Sequence, residues 1–530
     1  MDLNVDNFVS LLDVLHGQNL ALTFYHGRSV IGRLTYDELR EHVLKISYYL
    51  ENDLGVRRGD RVLILSPNRL EIPVLLLAVF SLGAVVVPLN PNAPAEDWNY
   101  IAKHSGARGL ILSPGLQIKD HSFDFKLNIE NLFQLEKKLP EAGLTFSQIL
   151  THELAIVLYT SGTTGNPKGI GLSQNNLFKN AASMALNFEL YKTTQFSILP
   201  LYHAHALGFG LMTALSTSGH LVFTDKMDPF AWAEIIRNEA VAYTSVVPSF
   251  LPMLVAARVH KEKVPSLKSL LVSSAPLTTE MVREFETKTS IPLIHGWGLS
   301  EYTNFACCLS LRESASDHKK LLFEHEVPSV GSPLTGTEVK IIDVDGNTLG
   351  EAQLGELCVR GHSLMMGYYC DPETTKDTIL DDGWLRTGDL GMYRMHRGKP
   401  VFFIAGRIKE IIIRSGEKYN PLAIEKKICH AIPELQGKIA VLGFNHKVHG
   451  EEIGAYIEIA PISNSLPEKL RDNLTKILEL LPIESRPKVI LYSRDPIPRT
   501  HTGKIQRRKL KPLYTEYFDF KGTYKIIASH

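Results

Sequence analysis

Lys168 closes a run of hydroxyl and glycine residues, Tyr159 to Gly169, that reads YTSGTTGNPKG. Hydroxyls and backbone N–H groups in a glycine-rich loop can wrap phosphate oxygens, and one lysine adds the positive charge such oxygens require. No G-x-x-x-x-G-K-[ST] pattern can be laid over the run, so it is not a Walker A loop. Four further clusters could do chemistry. HGWGLSE (295–301) sets an aromatic between two glycines, ahead of a hydroxyl and the carboxylate of Glu301. An aromatic in a tight turn offers a face to a purine, and a carboxylate beside phosphates commonly holds Mg²⁺. GWLRTGDLG (383–391) puts Asp389 in a glycine-flanked turn, where it could accept two ribose hydroxyls or only close the turn. FIAGRIKEIIIRSGEKYNP (403–421) carries Arg407 and Lys409, and PIPRTHTGKIQRRKL (496–510) carries Lys504 after a Thr-Gly turn. The basic run Arg507, Arg508, Lys509 reads in isolation as a solvated helix face.

These clusters need a frame to bring them together. Apolar strand-length runs, RVLILS (61–66), AVVVPL (84–89), GLILS (109–113), LAIVLYTS (154–161), HLVFT (220–224) and YTSVVPS (243–249), alternate with amphipathic segments. That rhythm predicts an α/β fold of parallel sheets covered by helices. The uncharged stretch IPVLLLAVFSLGAVVVPL (72–89) has nearly the length of a membrane span, but Pro73, the Ser81-Leu82-Gly83 break and Pro88 divide it. It reads as a buried helix followed by a buried strand. KIID (340–343), GELCVRG (355–361) and PVFFIAG (400–406) predict a smaller, more antiparallel β unit. RESASDHKKLLFEHE (312–326) reads as a surface loop. Beyond Arg407 the order strand, helix (421–432), strand (438–444), strand (453–460), helix (466–481) predicts a compact α+β C-terminal domain.

Composition narrows the classes. The 530 residues carry 57 Lys plus Arg against 57 Asp plus Glu, so charge calls for neither nucleic acid nor an anionic membrane. Five scattered cysteines form no C-x-x-C pair, which points away from zinc and disulfides and toward a reducing, cytoplasmic setting. The N-terminal MDLNVDNFVSLLDVL has acidic residues where a signal peptide would be basic.

The five clusters, in this order and across essentially the whole chain, resemble the AMP-forming adenylating enzymes: acyl- and aryl-CoA synthetases, adenylation domains of peptide synthetases, and firefly luciferase. The resemblance implies that a carboxylic acid and ATP give an acyl-adenylate and pyrophosphate, after which the acyl group passes to a thiol. It implies a phosphate cradle of Thr160, Ser161, Gly162, Thr163, Thr164, Gly165 and Lys168. It implies an adenine site of Ser274-Ala275-Pro276 and Trp297, with Gly298 and Ser300 beside it, Trp297 standing where relatives carry tyrosine. Glu301 would hold Mg²⁺, Asp389 and Arg407 the ribose, and Lys504 would bridge the acid and the α-phosphate. The implied division is an adenylate-forming domain (1–406), a hinge (407–409) centred on Lys409, and a mobile domain (410–530) that brings Gly416 to a thiol channel.

LPLYHAHALGFG (199–210) resembles a further family motif, with His203 as gate and His205 read as packing. The motif lacks the aspartate by which amino-acid-activating relatives hold an ammonium group, which favours a fatty or aryl acid. Phe209, Val246, Val247, Phe250 and Leu251 could line its pocket. Two positions depart from the family pattern, Gln174 for histidine and Ser300 for threonine. The thiol could belong to CoA or to a phosphopantetheinyl carrier protein, and no long insertion of the kind found in fatty-acyl-AMP ligases is present, which favours CoA. A non-catalytic nucleotide-binding protein is the remaining alternative.

Overall fold

The computed structural model describes residues 11, 17–135, 151–160, 166–461, 465–500 and 503–529. Among the described residues three sheets precede residue 408 and one follows it. This is the expected α/β architecture, a large N-terminal domain and a smaller α+β C-terminal domain.

One nine-stranded sheet has at its centre four parallel neighbours in the order Leu293–Gly298, Ser269–Val272, Tyr243–Val246 and Thr194–Ser197. A seven-stranded sheet carries Leu154–Thr160 next to Val85–Leu89. Helix Glu71–Ser81 and strand Val85–Leu89 are the halves of the long apolar stretch. From Ile72 to Ser81 every helix residue is buried, as is every residue of the strand. A helix apolar on all sides belongs inside, and the break at Gly83 turns the chain back into the sheet. Among the described residues no helix is long and apolar enough to cross a membrane.

The third sheet is the expected antiparallel unit, Thr337–Ile342, Gly355–Gly361, Leu385–His396 and Lys399–Arg407. The 3-10 turn Ile408–Glu410 then leads into the C-terminal sheet, where helices Pro421–Ala431 and Glu468–Leu480 bury Ile424, Ile428, Leu470, Leu474 and Leu478.

Four expectations need correction. The 312–326 segment holds helix Ala315–Phe323, whose Ser314 caps the Asp317 amide while Leu321 and Leu322 go inside. Two buried leucines in a strongly polar stretch left too weak a periodic signal to read. Trp297 lies in the strand Leu293–Gly298 and Asp389 in the strand Leu385–His396, neither in a tight turn. The glycines flanking Trp297 serve close approach instead, a Cβ on Gly298 standing 1.8 Å from the Asn304 carbonyl oxygen, while Gly388 before Asp389 supplies a φ of 69°. Arg507 is not on a solvated face. It is 7% exposed, donating to Glu410 Oε2 (2.8 Å), Glu425 Oε1 (2.7 Å) and the Val441 carbonyl (2.8 Å).

Candidate active site

The four parallel strands release their chains on one edge of the nine-stranded sheet. His203 and His205 follow Thr194–Ser197, Ser249 follows Tyr243–Val246, Ser274 follows Ser269–Val272, and Glu301 follows Leu293–Gly298. The carboxyl edge of adjacent parallel strands is where loops of different strands can converge on one ligand.

Behind that edge, the third sheet supplies the next wall. The Trp297 indole N–H donates to Asp389 Oδ2 (2.8 Å), and Arg407 Nε reaches Asp389 Oδ1 (2.9 Å). Asp389 and Arg407 are direct partners across adjacent strands, so register alone sets their pairing. Asp389 is 5% exposed, and its charge holds the Arg407 guanidinium above its usual range against the opposing effect of burial.

The loop expected to cradle phosphates is flanked by strands of the seven-stranded sheet. Thr160 ends the strand Leu154–Thr160 and pairs with Lys168, which begins the antiparallel strand Lys168–Ser173. The loop therefore joins two antiparallel strands. Its Ser161, Gly162, Thr163, Thr164 and Gly165 lie outside the described residues. Beyond it, Ser173 and Asn176 form a reciprocal capping box that starts helix Gln174–Phe188. Gln174, one of the departures from the family pattern, is buried with its Nε2 on the Phe80 carbonyl (3.1 Å), so it serves packing.

Tyr368 links the two walls, and sequence reasoning missed it. Its hydroxyl donates to Glu301 Oε1 (3.1 Å), while Lys168 Nζ lies 5.2 Å from its ring centroid and 3.5 Å from Thr374 Oγ1. Burial, then the neighbouring carboxylate, raises the phenol pKa, so Tyr368 stays a neutral donor. Nothing in GYYCDP marked this tyrosine, because its partner Glu301 follows a strand of a different sheet.

Lys504 arrives from the C-terminal domain. It sits on a turn closed by Thr500 N to the Lys504 carbonyl (2.8 Å) and Gly503 N to the Thr500 carbonyl (2.8 Å). Arg499 pins that turn to the Gly503 and Gly437 carbonyls at 3.1 and 2.7 Å. A Cβ on Gly503 would lie 3.3 Å from Ser249 Oγ, so the tip abuts the strand edge described above. The Lys504 ammonium is held below the usual lysine pKa by burial and then by Arg407, while Asp389, Glu301 and Glu410 act in the opposite sense. These charges come from both sides of residue 408, so the lysine lies within the field of the whole carboxylate–guanidinium cluster.

The remaining predicted residues divide. Ser274 is in the left-handed region (φ 72°), and its Oγ meets His205 Nδ1 at 2.9 Å. His205 does more than pack. Ala275 and Pro276 continue that turn, the His203 ring lies tilted against Tyr202 (centroids 4.6 Å apart), and Ser300 opens the 3-10 turn that carries Glu301. Phe209, Val246, Val247, Phe250 and Leu251 are all buried in the main core. Lys409 is exposed on its 3-10 turn, and Gly416 (φ 85°) lies with Ser415 (φ 52°) in a hairpin turn apart from the cluster. Glu301 offers an oxygen-only donor set among hydroxyls, which fits a hard cation such as Mg²⁺. Among the described residues the one group of three side chains spaced to hold a metal, Glu313, Asp317 and His396, does not include it.

Residues 16–369 match the model of the AMP-binding enzyme family. The chain belongs to that family. Beyond the matched span, 4-coumarate–CoA ligase-like 8 of Arabidopsis thaliana is 30% identical over 90% of this chain and 87% of its own length. The long-chain-fatty-acid–CoA ligase of Yersinia pestis is 27% identical over 96% and 95%. Among solved structures, ATP-bound MatB from Rhodopseudomonas palustris covers 97% of this chain and 99% of its own, at 25% identity and a TM-score of 0.84. The similarity to this AMP-binding fold thus extends through the C-terminal domain that bears Lys504.

Proposed function

We propose that the protein is an AMP-forming acid–CoA ligase: it joins a carboxylic acid to ATP, releases pyrophosphate, and passes the acyl group to the thiol of CoA. The observation that carries the reading is that the Lys504 turn abuts Ser249 and that Lys504 feels the charges of Arg407, Asp389 and Glu301. The reacting carboxylate and α-phosphate are both anionic, so attack needs a positive group between them. Lys504 would bridge the two oxygens, and the anions would restore the basicity that burial and Arg407 depress. Carboxylate oxygen attacks the α-phosphorus, the bond to pyrophosphate breaks, and Lys168 with the loop before it receives the departing charge.

Asp389, oriented by Trp297 and Arg407, takes the ribose, and Trp297 with the Ser274–Pro276 turn takes adenine. His203 stands at the acid's entrance. Mg²⁺ at Glu301 would supply charge neutralisation on the phosphates, with the Tyr368 hydroxyl fixing the carboxylate's orientation. Residues 407–409 act as the hinge between a domain of 1–406 and one of 410–530. Its rotation would withdraw Lys504 and bring the Gly416 turn to the thiol channel. A reducing, cytoplasmic setting suits the free cysteines, and the absence of charge in LPLYHAHALGFG suits a fatty or aryl acid.

The test is acid-dependent ATP–pyrophosphate exchange across a panel of acids, followed by thioester detection with CoA or with a phosphopantetheinyl carrier protein. CoA thioester is expected. Product formed only on the carrier would replace CoA as acceptor, and no exchange with any acid would sink the ligase reading.

A further inference from the structure

Beside the reaction centre the chain departs from regular geometry at three adjoining places. Ala206–Met212 is a π-helix, a form that costs helix stability and recurs at functional sites. Ser274 holds a positive φ of 72°. Thr303 (φ 65°, ψ −52°) is the centre of a γ-turn closed by Asn304 N on the Tyr302 carbonyl at 2.7 Å. That conformation is strained for any residue and more so for a β-branched one. The Thr303 hydroxyl locks it by donating to the Ser363 carbonyl (2.7 Å).

These distortions bring two polar side chains together. His205, at the mouth of the π-helix, and Asn304, just past the γ-turn, are each 6% exposed. The His205 ring meets Phe305 edge-on at 5.1 Å, and a Cβ on Gly208 would strike Asn304 Nδ2 at 2.4 Å. Glycine at 208 is what admits the carboxamide against the helix. Yet His205 Nε2 and Asn304 Nδ2 are buried without a hydrogen-bond partner, an arrangement that costs stability unless something else engages them. His205 Nδ1 already lies against the Ser274 and Ser273 hydroxyls, at 2.9 and 3.3 Å. With Ser274 donating to Nδ1, the imidazole proton sits on Nε2, and both open groups are donors. Burial lowers the His205 pKa to about 3, so the ring is neutral. The segments that build this corner, 199–212, 272–276 and 303–306, contain no Lys, Arg, Asp or Glu.

We propose that the acid taken by this site carries a second, uncharged oxygen, a hydroxyl or carbonyl, that accepts from His205 Nε2 and Asn304 Nδ2. This rests on the ligase reading above and sharpens its substrate class. An apolar chain would leave both donors unpaired, and a second carboxylate would find no cation there. The two residues are specificity-determining contacts, and His205 also positions Ser274.

The test uses the full chain in acid-dependent ATP–pyrophosphate exchange on matched pairs. Octanoic acid is set against its hydroxy and oxo derivatives, and phenylpropanoic acid against hydroxyphenylpropanoic acids. At least one oxygenated acid should exceed its plain partner by roughly tenfold to a hundredfold in kcat/KM, the range expected when a site built for a hydrogen bond meets an analogue without it. Asn304→Leu should abolish that preference. So should Gly208→Ala, which displaces the carboxamide while leaving both polar side chains in the sequence. Plain acids activated as well as every oxygenated partner would overturn the inference, as would a preference that survives both variants. The wild-type comparison decides even where a variant does not fold. Exchange with plain acids leaves the ligase reading standing when this inference falls, whereas exchange with no acid removes both.

Discussion

The wall contributed by the N-terminal domain is fastened residue to residue, whereas the Lys504 turn meets it chiefly through charge. Trp297, Asp389, Arg407, Glu301, Tyr368 and Lys168 are tied by hydrogen bonds, ion pairs or ring contacts within or between their sheets. Lys504, by contrast, is bonded through its backbone to its own turn, and that turn is built on the C-terminal domain. A receptor for a nucleotide gains from being preformed, because ligand ordering then costs less. A charge that must come and go gains from belonging to a body that can move away whole.

The strongest challenge to that contrast is Lys504→Ala. It should lower acid-dependent exchange by about 10³-fold, the scale of losing one transition-state charge partner, while ATP binding stays close to wild type. Lost ATP binding would make Lys504 part of the preformed wall, and undiminished exchange would remove it from the reaction. Arg507→Ala probes the body that carries the lysine. It would strand the buried Glu425 carboxylate and should cost about 3 kcal/mol or more of C-terminal domain stability, read from chemical denaturation. An unchanged midpoint would mean that this domain is held together without that network.

Tyr368→Phe works on the fixed wall. Removing the donor to Glu301 should slow exchange by about tenfold and raise the Mg²⁺ concentration needed, since one hydrogen bond to a charged group is worth that much. Unaltered Mg²⁺ dependence would count against Glu301 as the metal-side carboxylate. The smallest expected effect concerns pH. A lysine must be protonated to bridge two anions, and protonation is lost as pH rises through its pKa. Because burial and Arg407 lower that pKa, exchange should decline at a pH below the ordinary lysine value of 10.5. Lys504→Arg, which cannot deprotonate in this range, should lack that decline if it retains activity. The same alkaline limb in both proteins would assign it to another group.

Much of the fold was readable because its signals are local. Continuous apolar runs of strand length announced buried parallel strands, and Gly355–Gly361 stands where GELCVRG predicted it. Errors fell where local pattern and long-range placement disagree. The glycines around Trp297 suggested a turn, but they permit close contacts between strands, and Gly388 supplies a positive φ within the strand of Asp389. The arginine run suggested solvent, but Glu410 and Glu425 lie across from Arg507. His205 was ambiguous by itself, since only the left-handed Ser274 turn and the glycine at 208 reveal what surrounds it.

The residue types and order alone determined the chemical repertoire: a phosphate-type loop, one carboxylate after an aromatic, an acid paired later with an arginine, and a lysine near the end of the chain. They also settled the alternation of strands and helices, because hydrophobic period and glycine placement are written into neighbouring residues. What only tertiary structure decided is which of these groups share one electric field. Tyr368 between Lys168 and Glu301, Arg507 on Glu410, and Lys504 in the field of Arg407, Asp389 and Glu301 each join segments far apart in the chain. Strand register and domain packing create them, and neither leaves a periodic trace in the residues that finally meet.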